Sequence, residues 1–144
     1  MSNDFDFASY ITDESLENNG TWFPAGGSSE FLVARTGNAA YSKKITAEFE
    51  RNKMLLDMGG PASEKISEQI MIDTLAETVL LGWRTKQADG SFEPTIAFKK
   101  KSTPYSVDAA KSLLVVKDIR RMVNTMSTTV DAYKAKEEAA QGEA

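Results

Sequence analysis

The chain has 144 residues, of which 41% are hydrophobic and 26% charged, with a net charge of −4. That is the profile of a single globular domain long enough to bury a core without staples. It contains no cysteine and no histidine, which rules out a disulfide framework, a thiol nucleophile, a zinc–cysteine site and imidazole acid–base chemistry. The expectation is a protein that is not an enzyme and has no cofactor.

No apolar run reaches the ~20 residues a membrane span requires, and the N-terminus lacks a basic-then-apolar leader, so no membrane role is expected and action in the cytosol is. Charge is uneven along the chain. Residues 1–34 hold six acids (Asp4, Asp6, Asp13, Glu14, Glu17, Glu30) and no Lys or Arg, whereas residues 35–133 hold fifteen basic and twelve acidic residues. Residues 1–19 therefore read as an acidic N-terminal arm, residues 20–133 as one globular domain, and residues 134–144 as a C-terminal tail. The arm is expected to be solvated; lying across the mildly basic body or a basic partner is the alternative.

In chain order, Phe5-Asp6-Phe7 alternates like a short strand, and Thr12–Ser15 reads as a turn or cap. Thr21-Trp22-Phe23 and Glu30–Ala34 flank the Gly-rich Pro24–Gly27 and predict a β-hairpin. Trp22 is expected to pack on the first helix. Asn38 is a candidate N-cap for a helix over 39–56, in which Tyr41, Ile45, Phe49 and Leu56 share a face. After Gly59-Gly60-Pro61 comes the segment predicted to organise the rest, a central helix over about 63–82 with Ser63 as its cap. Val79-Leu80-Leu81 is apolar all round, as expected of a helix end buried on every side. Asp89-Gly90 marks a turn, and Thr95–Phe98 a minor strand. Lys99–Lys101 then fits a solvated loop or the edge of a small ribbon, where lysine discourages strand addition. Ser106 caps a short helix from Val107 to Leu114.

From there Val116, Ile119, Val123, Met126, Val130 and Tyr133 repeat at alternating spacings of three and four. The seam is too short for a free coiled coil, so packing on the chain's own core is expected. Arg120 and its neighbours flank it. Beyond Lys134 nothing apolar remains to bury, and the tail is expected to fray. The fold expected from these elements is mainly α within an α+β class: a helical bundle around the central helix, with a short N-terminal β-hairpin and a minor strand near 95–98.

No phosphate-loop, dinucleotide, zinc-protease or EF-hand pattern occurs. Asp73 and Glu77 sit four apart and share a helix face, but with no histidine nearby helix-surface solvation is the better account. Three consecutive lysines in an acidic protein do not make a nucleic-acid interface, and none is expected. Function is therefore expected to lie in surfaces.

Several segments together resemble the tail assembly chaperones of long-tailed bacteriophages, small proteins encoded beside the tape-measure gene. They are Glu14–Trp22, Phe31–Tyr41, Thr78–Trp83, and Pro104-Tyr105-Ser106 with Ala109, Ala110, Leu113 and Leu114, followed by a closing helix ending near Tyr133. The acidic residue and proline that usually start the last helix are replaced here by Val115-Val116-Lys117-Asp118. The resemblance implies a non-enzymatic protein of the host cell cytoplasm that covers the apolar stripes of the tape-measure protein until tube subunits replace it, and is absent from the finished virion. Tail-tube protein is a second partner by the same resemblance, since some members carry a frameshifted extension that recruits it. The partner surface it suggests is the closing-helix seam and its basic flank: Val116, Ile119, Arg120, Val123, Met126, Val130 and Tyr133. The alternative reading is a structural virion component, a minor tail or connector protein.

Overall fold

The structure, a computed structural model, describes residues 5–134. Along them run α1 (Glu14–Asn19), β1 (Thr21–Gly26), β2 (Ser29–Val33), α2 (Ala39–Arg51), α3 (Lys53–Asp57) and α4 (Gly60–Thr78). Then come β3 (Leu80–Lys86), β4 (Phe92–Glu93), β5 (Thr95–Phe98), β6 (Lys101–Pro104), α5 (Val107–Leu114) and α6 (Lys117–Ser127), with 3-10 turns at Phe7–Tyr10 and Val130–Tyr133. Of the tail expected to fray from Lys134 onward, Lys134 itself forms an isolated β-bridge with Thr12 and the rest lies outside the described residues, as does Asp4.

The expected helical bundle with only a short hairpin is overturned. Strands β1-β2-β3-β4 form a four-stranded antiparallel sheet, and β5–β6 form a second, two-stranded one. The fold is α+β. The difference begins at Val79, which leaves helical geometry at φ −121° and ψ −58°. The apolar run read as the buried end of a helix is instead β3, paired on both edges: Leu80 lies opposite Val33, Trp83 opposite Phe31, and Lys86 opposite Phe92. A short apolar run suits a buried strand as well as a buried helix end, and the β-forming Trp83 and helix-weakening Gly82 tip it toward strand.

The core lies between one sheet face and the helices. It joins Phe31 and Val33 of β2, Ile72, Leu75 and Ala76 of α4, Leu80 and Trp83 of β3, Leu113 and Leu114 of α5, and Val123 and Met126 of α6. Helix α4 is touched by α2, α3, α5 and β3, yet only its C-terminal half, from Ile70, is buried. Polar atoms lock the α4–β3 junction. Tyr105 directs its hydroxyl at the carbonyls of Leu80 (2.6 Å) and Ala76 (3.1 Å), and Trp83 Nε1 donates to Thr103 O at 2.9 Å. The buried Asn38 caps α2 by accepting from Tyr41 N at 3.0 Å, while its Nδ2 donates to Thr78 O at 2.9 Å.

Other expectations change in detail. The helix predicted over 39–56 breaks at Asn52, whose side-chain amide donates to Glu48 O at 2.8 Å and so competes with the helical ladder. Helix α4 starts at Gly60 with Pro61 in its first turn, and Ser63 donates to Leu56 O rather than capping. Phe5-Asp6-Phe7 does not form a strand; Phe7 opens a 3-10 turn. Trp22, expected on the first helix, lies on the sheet face opposite Phe23, beneath the Arg84 guanidinium at 3.9 Å. Residues 12–19 of the acidic arm are tied to the body: Asp13 N donates to Tyr133 O at 2.7 Å, and Glu17 pairs with Arg35 at 3.1 Å. Lys99 and Lys100 form the two-residue tip of the β5–β6 hairpin, both at positive φ (51° and 66°).

Candidate partner-binding groove

The closing-helix seam is divided by the structure. Helix α6 ends at Ser127, where Thr128 reaches φ −110° and ψ 3°, and a 3-10 turn carries Val130–Tyr133. Val123, Met126 and Tyr133 are buried. The Tyr133 hydroxyl donates to Val33 O at 2.8 Å, and its ring lies 6.1 Å from that of Phe23. Ile119 packs half-buried against the core. Arg120 turns inward, donating to Leu114 O at 3.0 Å and facing Glu68 at 3.8 Å. Val130 is half-buried, while Val116 is exposed beside the still more open Val115. The interior members of the seam thus stabilise the chain itself, while Val115 and Val116 at its start stay open to solvent.

A further open surface lies along the N-terminal half of α4. Helices α2 and α3 meet at the break at Asn52, and α4, entered through Gly59-Gly60, packs against both. Between them is a groove of about 710 Å³ lined by Ile45, Thr46, Phe49, Glu50, Lys53, Leu56, Asp57, Ser63 and Ser67. Of its lining, Phe49 is 39% exposed; on α3 and just past its end, outside that lining and off the Lys53–Leu56–Asp57 face, Met54 is 80% exposed, Met58 76% and Leu55 52%. Met54, Leu55 and Met58, uncovered by the chain, give α3 an exposed apolar face of the kind that marks an interaction site. Methionine suits such a surface because its unbranched, polarisable side chain adapts to different partners. The concavity can receive an apolar helix face or a few large side chains.

The polar groups along α4 secure the scaffold. Asp73 faces Lys111 at 3.5 Å and accepts from Gln69 at 2.9 Å, and Glu77 pairs with Lys44 at 2.7 Å. That contact with Glu77, more than any other cause, raises the Lys44 ammonium above its ordinary value. Each carboxylate is therefore engaged by a lysine of a neighbouring helix, which is the solvation account made specific. Among the described residues no group of three or more carboxylates could hold a metal ion.

The sequence carried one signal of the uncovered face of α3. Met54 and Leu55 lie off the Tyr41–Ile45–Phe49 face, so an apolar run there covers more directions than the helix has neighbours to cover them.

Compared with protein-family models, curated proteins and solved structures, the chain matches none of them. Among the described residues no helix is long and apolar enough to cross a membrane.

Proposed function

We propose that this chain is a tail assembly chaperone of a long-tailed bacteriophage. It binds the tape-measure protein in the host cell cytoplasm, keeps it soluble during tail morphogenesis and is left out of the finished particle. The observation that carries the reading is the uncovered apolar area of Met54, Leu55 and Met58 on α3, the helix whose other face walls the α2–α3–α4 groove. The resemblance of the ordered segments from Glu14 to Tyr133 supports it.

A long helical client presents apolar stripes at i, i+3, i+4 and i+7 spacing, and a groove between helices receives such a stripe as a further helix face. One groove of this size gives a weak contact, whereas many copies along one client add up to a durable coat. Weakness per copy suits a coat that polymerising tube subunits must displace. Adaptable methionines suit a client whose stripe varies along its length.

Co-expression with the tape-measure protein encoded beside it tests the reading. The client moves to the soluble fraction only when the chain is present, and mass spectrometry of purified particles finds the client without the chain. An unchanged client solubility sinks the proposal. Recovery of the chain at fixed stoichiometry in particles supports the structural-component alternative instead.

A further inference from the structure

Sulfur is unevenly placed in this molecule. The chain has no cysteine and six methionines, so thioether is its only oxidisable sulfur. Among the described residues the fold sorts the methionines sharply. Met126 is 8% exposed in the core, Met122 is half-buried against it, and Met71 is half-buried on α4. Met54 and Met58, by contrast, are 80% and 76% exposed. Met58 follows the last residue of α3 yet keeps helical geometry, at φ −68° and ψ −23°. Residues four apart in that geometry share one side of a helix, so the two open thioethers belong to one face. We propose that Met54 and Met58 form a paired oxidation site, at which peroxide converts both thioethers to sulfoxides with the fold intact and so switches the α3 face reversibly from apolar to polar. The inference rests on that face being the client-binding surface, as the functional reading supposes.

The chemistry needs no other group of the chain. A lone pair on the thioether sulfur attacks one peroxide oxygen, and the O–O bond breaks as the S–O bond forms. The departing hydroxide takes the proton left on the transferred oxygen and leaves as water. Sulfur gives up two electrons, peroxide accepts them, and the side chain ends as a sulfoxide. Peroxide arrives from solvent, so access decides which sulfur reacts. Most of Met54 and Met58 already meets water, whereas the packing of α6 screens Met122 and Met126.

The consequence follows from where the new oxygen points its demand. In solvent a sulfoxide is hydrogen-bonded by water, and at an exposed position it costs the fold little. Covered by an apolar stripe it loses those bonds, which weakens binding on the order of tenfold for each sulfoxide left unpaired. The adaptable apolar thioether has become polar and chiral. Oxidation at Met126 cannot separate binding from folding in this way, because its side chain is part of the core. Methionine sulfoxide reductases A and B, one for each epimer, return the thioether, and an open site gives them access to it.

Peroxide treatment of the folded full chain, followed by peptide mass mapping, tests the site. One added oxygen is expected at Met54 and at Met58 well before Met71, Met122 or Met126, with a melting curve matching the untreated chain, whereas the urea-unfolded chain oxidises at these positions alike. Folded-state oxidation that reaches the core methionines as fast, or a treated chain that unfolds, overturns the proposal. Client solubilisation is then compared for treated and untreated chain after the peroxide is removed. The treated wild type loses it and regains it with reductases A and B, while Met54→Leu/Met58→Leu, which has no thioether at either position, keeps its own starting level through the treatment. A treated wild type that solubilises the client as before overturns the switch and leaves the functional reading standing. An untreated wild type that fails to solubilise the client is the failure of the functional reading itself, and the switch falls with it even where the mapping shows selective oxidation.

Discussion

The two ends of α4 differ in what the chain does with apolar side chains. From Ile70 to Thr78 the helix lies against β3 and α5, and Leu75, Ala76 and Thr74 are wholly shielded. From Gly60 to Ser67 it borders α3, whose Met54 and Leu55 stand in solvent with Met58 beyond them. Burial at the first end supplies stability. At the second end the chain leaves apolar area in water, and that area gains free energy only when something else covers it. One helix thus serves as core support at its C-terminal end and as a groove wall at its N-terminal end.

The comparison predicts a gradient in mutational cost. The largest effect belongs to Leu75→Ala at the shielded end, which removes buried methyls and leaves a cavity; chemical denaturation should show a loss of about 2–5 kcal/mol. A loss below about 1 kcal/mol would mean that end is not close-packed.

Next comes Tyr133→Phe, which strips the Val33 carbonyl of its partner and should cost about 1–2 kcal/mol. It also has a pH signature. Burial pushes the Tyr133 hydroxyl up to about 12 from its ordinary 10. The unfolded chain releases this proton first, so the contribution is intact below pH 10 and is lost as pH rises through the window from 10 to 12. In urea titrations the variant should lose part of the wild type's decline across that window; the decline left over includes Tyr105, whose hydroxyl burial also raises.

A gain of about 1 kcal/mol is expected for Thr74→Val, because the Thr74 hydroxyl is buried with no hydrogen-bond partner among the described residues. Its melting temperature should rise; a fall would show that the hydroxyl is satisfied. The smallest effect on stability belongs to Met54→Ser/Met58→Ser at the open end, within about 0.5 kcal/mol per site. The same variant should lose client solubilisation, a separation of function from stability that no substitution at the shielded end should reproduce.

Parts of this architecture were legible in the sequence where local chemistry decides the outcome. The hairpin over Thr21–Val33 follows from its Gly-rich connection, and the caps at Asn38 and Ser106 follow from side chains that accept backbone amides. Strand β3 was not legible, since Val79–Trp83 has no alternation and its longer partner, β2, lies about fifty residues earlier. Strand β6, Lys-Ser-Thr-Pro, carries no apolar signal and is defined only by its pairing with β5. The closing seam was visible as a pattern, but its burial depends on where the sheet lies. The groove depends on how α2, α3 and α4 pack, which no local pattern shows, whereas the uncovered Met54 and Leu55 leave a trace as apolar residues off the Tyr41–Ile45–Phe49 face.

The central claim is that the open end of α4 is where a helical client is held. Amide hydrogen exchange on the chain with and without tape-measure protein addresses it directly. The account predicts that new protection concentrates over residues 45–67, spanning the end of α2, α3 and the start of α4, with little change along α6. Protection confined to other elements, with residues 45–67 exchanging as in the free chain, would contradict it.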